Sequence, residues 1–160
     1  MLSDDFNRLS IFQGMGVSQQ ELLSELFIPY DCCDETVIFE QGDLAEFLYI
    51  VVNGEVIVSF KPDDGPAIIV ARIQPGGVVG WSAALGSRMY TSGASCIGDT
   101  RLLRIRGSDL RKLCEQYPET GVILLDRLAA VIAQRLTSTH DQVLALLELG
   151  LRSGVKEAGG

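Results

Sequence analysis

Apolar and polar positions alternate with three different rhythms along the chain. Over residues 2–26 the period is helical: Phe6 and Leu9 lead to a break at Gly14 and Gly16. Ser18 then reads as an N-cap, with Glu21 three residues on and a helix running through Leu22, Leu23 and Leu26 until Pro29 closes it. From 36 to 106 the period becomes two, and Gly, Pro, Asn and Asp punctuate it. Strands are predicted over 36–39, 47–53, 55–60, 67–73, 92–96 and 100–105. Asn53-Gly54, between LYIVV and EVIVSF, is a strong hairpin signal, because a type I′ turn needs positive φ at both central residues. Pro62-Asp63-Asp64-Gly65 predicts a second turn, and Gly42-Asp43 and Gly76-Gly77 two more. Many short strands with regular turns indicate a sandwich, roll or barrel.

Helical spacing returns at Ser108, which reads as the cap of a short helix. Pro118 opens a second one, with Glu119 in its first turn where the helix dipole favours an anion. That helix is predicted to reach 149, about 45 Å at 1.5 Å per residue. Val122, Leu125, Ala129, Ile132, Leu136, Thr139, Val143 and Leu146 keep strict 3-4 spacing, an a/d seam with one polar member. Leu124, Leu128 and Val131 make a second apolar row beside its first half. One row suits the chain's own β-domain and the other a partner, so a parallel homodimer through 119–149 is expected rather than a monomer that buries the whole helix. Gly150 ends the helix, and 151–160 reads as a flexible tail. The expected organisation is one domain over 1–150: N-terminal helices in 1–30, a β-roll over 36–107 and C-terminal helices over 108–149.

Composition removes several functions. The chain has 160 residues, 47% of them hydrophobic, and a net charge of −8, so a core of ordinary size is available and nucleic-acid binding is disfavoured. Arg101, Arg104, Arg106 and Arg111 read as one solvated strand face leading into a helix. With His140 as its one histidine, the chain offers neither a His-rich metal site nor a Ser/His/Asp or Cys/His arrangement. A metal-dependent enzyme of the cupin type is excluded on the same ground, and no catalytic residue is expected. Cys32, Cys33, Cys96 and Cys114 follow no zinc or iron–sulfur spacing and are expected to be reduced thiols in a cytoplasmic protein. The adjacent Cys32 and Cys33 receive no role. No stretch is apolar enough to cross a bilayer, and the acidic N-terminus lacks the basic region of a signal peptide.

The stretch from Phe39 to Val58, with Gly42-Asp43, then Leu48-Tyr49, then Gly54-Glu55-Val56-Ile57-Val58, resembles the cyclic nucleotide-binding domain family. The order of elements agrees, and LAAVIAQRL at 128–136 is similar to the start of the dimerisation helix in regulators of the catabolite-activator (CRP/FNR) type. The resemblance implies a mainly β fold with flanking helices (α+β), a double-stranded β-helix or jelly-roll-type β-roll followed by a long dimerisation helix. It also implies a phosphate cassette over 75–92. Gly80 would let the backbone approach a ligand, and free N–H groups near Ser82, Ala83 and Ala84 would form an anion site at a helix N-terminus. Leu85 lies in the same cassette. Thr139 and His140 fall where cAMP-responsive relatives contact the base. His140 fits a surface position better than a ligand contact.

Two positions depart from the family. Its ribose-binding Glu is Trp81 here, and its phosphate-pairing Arg is Thr91, with Ser92 at a position that commonly contacts phosphate. Arg88 either supplies the missing cation or is a solvated loop residue. Trp81 either stacks on a purine or packs in the core. The expected function is a stand-alone sensor of cAMP, cGMP or a related nucleotide that signals to an unknown downstream protein. With only a tail after Gly150, no recognition helix and no direct DNA binding are expected. The alternative is a degenerate fold that binds no nucleotide and serves as a dimerising or docking module.

Overall fold

The computed structural model describes residues 6, 8–84, 86–134, 144, 147 and 148. Six strands form one antiparallel sheet: β1 (Ile28–Cys32), β2 (Val37–Phe39), β3 (Phe47–Phe60), β4 (Ile68–Ile73), β5 (Val78–Val79) and β6 (Gly93–Arg106). The long strands β3 and β6 pair along their whole length. β1 and β2 share the outer edge of β6, while β4 and β5 share the other edge of β3. The helices are α1 (Val17–Leu26), α2 (Gly107–Gln116) and α3 (118–134). A β-roll with flanking helices is the fold that the sequence predicts, but β1 and β5 lie outside the predicted strands, and β3 and β6 each join two of them. Residues 1–128 form one compact unit and 129–160 another.

Burial explains the unbroken apolar run at the start of β3. Tyr49 and Val51 point into the roll, packed with Phe39, Leu102, Val79 and Cys96. Leu48 and Ile50 take the opposite face with their β6 partners Ile105 and Leu103, and all four are fully buried. Leu23, Leu110, Leu113, Leu124 and Leu128 supply the buried apolar side chains of the helical layer. Farther along β3 the rhythm becomes alternating, with Val56 and Val58 inside and Ile57 less buried. Arg127 ties α3 to the N-terminal 3-10 turn by donating to the carbonyls of Ser10, Ile11 and Gln13.

Several local expectations are corrected. Asn53-Gly54 is not a hairpin: the two halves of β3 form one strand, bent where the register with β6 shifts. Gly54 has φ +91°, and a Cβ there would lie 2.5 Å from Thr100 Oγ1 and 2.8 Å from the Asp99 carbonyl. The Asn-Gly signal therefore reports a bulge pressed against the neighbouring strand. Likewise 92–96 and 100–105 belong to one strand. Pro29 does not close a helix but lies in β1, tolerated because β1 is an edge strand. Gly16, not Ser18, is the N-cap of α1, and its N–H donates to the Gln19 side chain at 3.2 Å. Arg106, not Ser108, precedes α2, because the Gly107 N–H is already bonded to the Glu46 carbonyl at 2.8 Å. The Pro62–Gly65 turn does join β3 to β4.

The strand arginines are not one solvated face. Arg101 pairs with Asp31 at 3.0 Å, and Arg104 is half-buried against the rings of Tyr30 and Phe47. All four cysteines are free, Cys32 and Cys96 buried, Cys33 exposed and Cys114 half-buried. No helix among the described residues is long and apolar enough to cross a membrane.

Candidate functional site

The cassette expected over 75–92 leaves β5 and returns at the start of β6. Its pivot is Gly80, which has φ +76°. A Cβ on Gly80 would lie 2.9 Å from the Phe47 carbonyl and 3.3 Å from the rings of Phe39 and Tyr90. Both its φ and its surroundings therefore require glycine. Trp81–Ala83 form a single 3-10 turn, with Trp81 and Ser82 half-buried and Ala83 buried. Beyond the turn the loop runs back along 42–45: Ala45 N–H donates to Arg88 O, Tyr90 N–H to Asp43 O and Gly42 N–H to Tyr90 O.

Tyr90 closes the loop. Its ring stacks on Phe39 at 3.7 Å between centroids, and its hydroxyl donates to the Phe47 carbonyl at 2.6 Å while accepting from the Phe47 N–H at 3.1 Å. From the far side Arg111 donates to the Ala83 carbonyl at 3.2 Å, and Gly107 abuts the same carbonyl. The cassette is thus held between the roll interior and the start of α2. Sequence reasoning missed Tyr90, Arg111 and Gly107; a lone tyrosine inside a small-residue loop was the available signal for the first.

Burial, followed by the neighbouring Tyr90, pushes the Tyr49 phenol up from 10.0 to about 12. Arg104 partly opposes that rise. Tyr90 is also raised, chiefly by burial and partly offset by its bond to the Phe47 carbonyl. Both groups keep their protons more tightly folded than unfolded. The Tyr49 contribution is therefore complete below pH 10 and is lost as the pH rises from about 10 towards 12, and that of Tyr90 is lost in the same direction. Urea unfolding at pH 8, 10 and 11 is expected to show a falling midpoint over that window, and Tyr49→Phe is expected to flatten the fall.

The expected anion site at a helix N-terminus is corrected. The helix is a single turn of three residues, and two of its amides are engaged, Ala83 N–H with Gly80 O at 3.1 Å and Ala84 N–H with Trp81 O at 3.0 Å. Gly80, Trp81, Ser82, Ala83, Ala84, Arg88, Thr91 and Ser92 lie in this one loop. Arg88 and Thr91 are exposed, and Ala84 and Ser92 half-buried. Leu85, Thr139 and His140 lie outside the described residues. Arg88 is the one cation in the cassette sequence. Among the described residues no cluster of side chains is placed to hold a metal ion.

Comparison with known proteins agrees with this geometry. The cyclic nucleotide-binding domain profile matches residues 32–117. A CRP-like cAMP-activated global transcriptional regulator of Mycobacterium tuberculosis is 26% identical, over 95% of this chain and 72% of the relative. The catabolite activator protein of Thermus thermophilus superposes with a TM-score of 0.68 at 28% identity, covering 86% of this chain and 62% of that one. A cAMP-binding acyltransferase from Mycobacterium smegmatis superposes with a TM-score of 0.69 at 25% identity, covering 84% of this chain and 40% of that one.

Proposed function

Since the chain belongs to the cyclic nucleotide-binding domain family, we propose that it is a cytoplasmic regulatory domain that senses cAMP, cGMP or a related nucleotide and signals as a helix-mediated homodimer. The observation that carries this reading is the cassette pivot at Gly80, kept as glycine by both φ and close packing, with the small Ser82, Ala83 and Ala84 following Trp81. The ligand would lie against Gly80, Trp81, Ser82, Ala83 and Ala84. Arg88, Thr91 and Ser92 would face its phosphate. No step of bond making or breaking is assigned to the chain: its role is binding, with output through whatever protein it contacts. Nucleotide then acts by binding two helix arrangements unequally, since only differential affinity moves such an equilibrium.

The dimer rests on α3. Leu124 and Leu128 are buried, whereas Val122 and Leu125 of the a/d seam are exposed at 67% and 41%. Large apolar side chains left in water on one helix face suit a second copy of that face.

A second reading, a fold that has lost nucleotide binding and serves as a docking module, is favoured by Trp81 and Thr91 and by the engaged amides of Ala83 and Ala84. Thermal unfolding separates the two. With millimolar cAMP or cGMP the midpoint is expected to rise by several degrees, since a ligand at 100 times its Kd stabilises by about 2.7 kcal/mol. AMP, which lacks the cyclic phosphodiester, is expected to leave it unchanged. No rise with any cyclic nucleotide overturns the sensor reading in favour of the module. Repeating the melt across protein concentrations tests the dimer, whose midpoint rises with concentration.

A further inference from the structure

Cys32 and Cys96 are far apart in the chain and come together inside the roll. Cys32 lies on β1 opposite Thr100 of β6, and Cys96 lies farther back on the same β6. The link between β1 and β2 folds onto β6 here: Glu35 N–H donates to Cys96 O at 3.0 Å, and Cys96 N–H to Thr36 O at 2.9 Å. Both side chains are buried in one cluster with Val51, Val56 and Leu102. Within it the Cys32 thiol is hydrogen-bonded to Cys96 and to Tyr30.

The pair is buried but not sealed. Cys32 forms part of the wall of a cleft of about 340 Å³, shared with Asp31, Cys33, Asn53, Asp99 and Arg101. Asp31 and Arg101 pair at 3.0 Å, so Asp99 leaves the mouth with a net negative charge that favours entry of a cation.

The chemistry of the donors narrows what binds there. Among the described residues no cluster of three or more acidic, histidine or cysteine side chains converges, and the walls around the two sulfurs are mostly aliphatic and aromatic. Structural zinc takes four ligands, and calcium six or more oxygens. Two sulfurs alone suit a soft cation satisfied by linear coordination, the class to which copper(I) belongs. The protons make the same selection. Burial, followed by Cys96, pushes the Cys32 thiol up from 9.0 to about 12, so only a cation that bonds sulfur strongly displaces them. The Tyr30 hydrogen bond acts in the opposite direction and favours the thiolate that such a cation requires.

We propose that Cys32 and Cys96 form a two-sulfur site for copper(I), entered from the cleft beside Cys33 and Asp99. On binding, two S–H bonds break, two S–Cu bonds form, both protons leave to water and no electron is transferred. The ion clamps the edge strand β1 to β6. The site uses no cassette residue and its test uses no nucleotide, so it stands or falls apart from the sensor reading.

The reduced full chain is titrated anaerobically with copper(I) against the chromophoric chelator bicinchoninate. It is expected to take a single equivalent from the chelator and to show only sulfur neighbours by X-ray absorption. Cys33→Ser combined with Cys114→Ser leaves Cys32 and Cys96 as the sole cysteines, and this double variant is expected to bind with native affinity. Cys32→Ala and Cys96→Ala are each expected to weaken binding more than about a hundredfold, beyond the loss that follows removal of an outer partner. The double serine variant keeps both buried thiols, so the test stays decisive where an alanine variant does not fold. The proposal is overturned if no copper leaves the chelator, if the double serine variant loses the equivalent, or if either alanine variant binds as tightly as the native chain.

Discussion

Thr91→Arg is expected to raise the affinity for cAMP about ten- to a hundredfold. Thr91 is exposed at the point where the cassette rejoins β6, the position at which the family's pattern places a phosphate-pairing arginine. A charge-assisted contact to phosphate contributes about 1.5–3 kcal/mol. The only cation already in the cassette is Arg88, three residues earlier and exposed. Adding Trp81→Glu restores the carboxylate that holds the ribose in the family's pattern, and the double variant is expected to bind more tightly than either single one. Isothermal titration with cAMP and with AMP measures this directly. A gain for cAMP greater than that for AMP places the cyclic phosphate at Thr91. An unchanged affinity for both would mean that the loop does not cradle a nucleotide, and the docking-module reading would replace the sensor.

What could be read from the sequence depended on whether the signal was local. The β-roll, its punctuation at Pro62–Gly65 and the buried Leu124–Leu128 row of α3 follow from period and turn chemistry, which the chain carries within a few residues. The Asn53-Gly54 hairpin failed because positive φ serves a bulge as well as a turn. Only the neighbouring strand, which brings Thr100 against Gly54, decides between them. β1 was missed because Pro29 argues against a strand unless the strand lies at an edge, and edges are a property of the assembled sheet. The caps expected at Ser18 and Ser108 fall instead at Gly16 and Arg106 for a related reason. At α2 a backbone bond from Gly107 to Glu46, far away in the chain, outweighs the local preference of Ser108.

The site shows the same division. Gly80 and the small Ser82, Ala83 and Ala84 were legible as a loop that admits close approach. Tyr90 was not, because its partners Phe39 and Phe47 come from β2 and β3. Arg104 was misread as solvated because period alone cannot bring Tyr30 and Phe47 against it.

Gly80→Ala is expected to destabilise the domain by about 3 kcal/mol, lowering the melting midpoint by roughly 10 °C. Two effects combine. At φ +76° an alanine is strained by about 1–2 kcal/mol. In addition its Cβ would meet the Phe47 carbonyl at 2.9 Å and the stacked rings of Phe39 and Tyr90 at 3.3 Å. None of these neighbours is the loose end of a flexible side chain. The Phe47 carbonyl accepts the Tyr90 hydroxyl, and the two rings are pressed together at 3.7 Å, so relief requires the cassette to move off the roll. Gly76→Ala isolates the first effect, because Gly76 has φ +91° and a Cβ there would meet nothing within 4 Å. That variant is expected to lose only about 1 kcal/mol. Urea unfolding of both variants measures the difference. A clear excess for Gly80→Ala identifies close packing of the cassette on the roll as the second source of strain. Equal losses would mean that φ alone requires glycine at position 80 and that the loop sits more loosely on Phe47 and Tyr90 than their contacts imply.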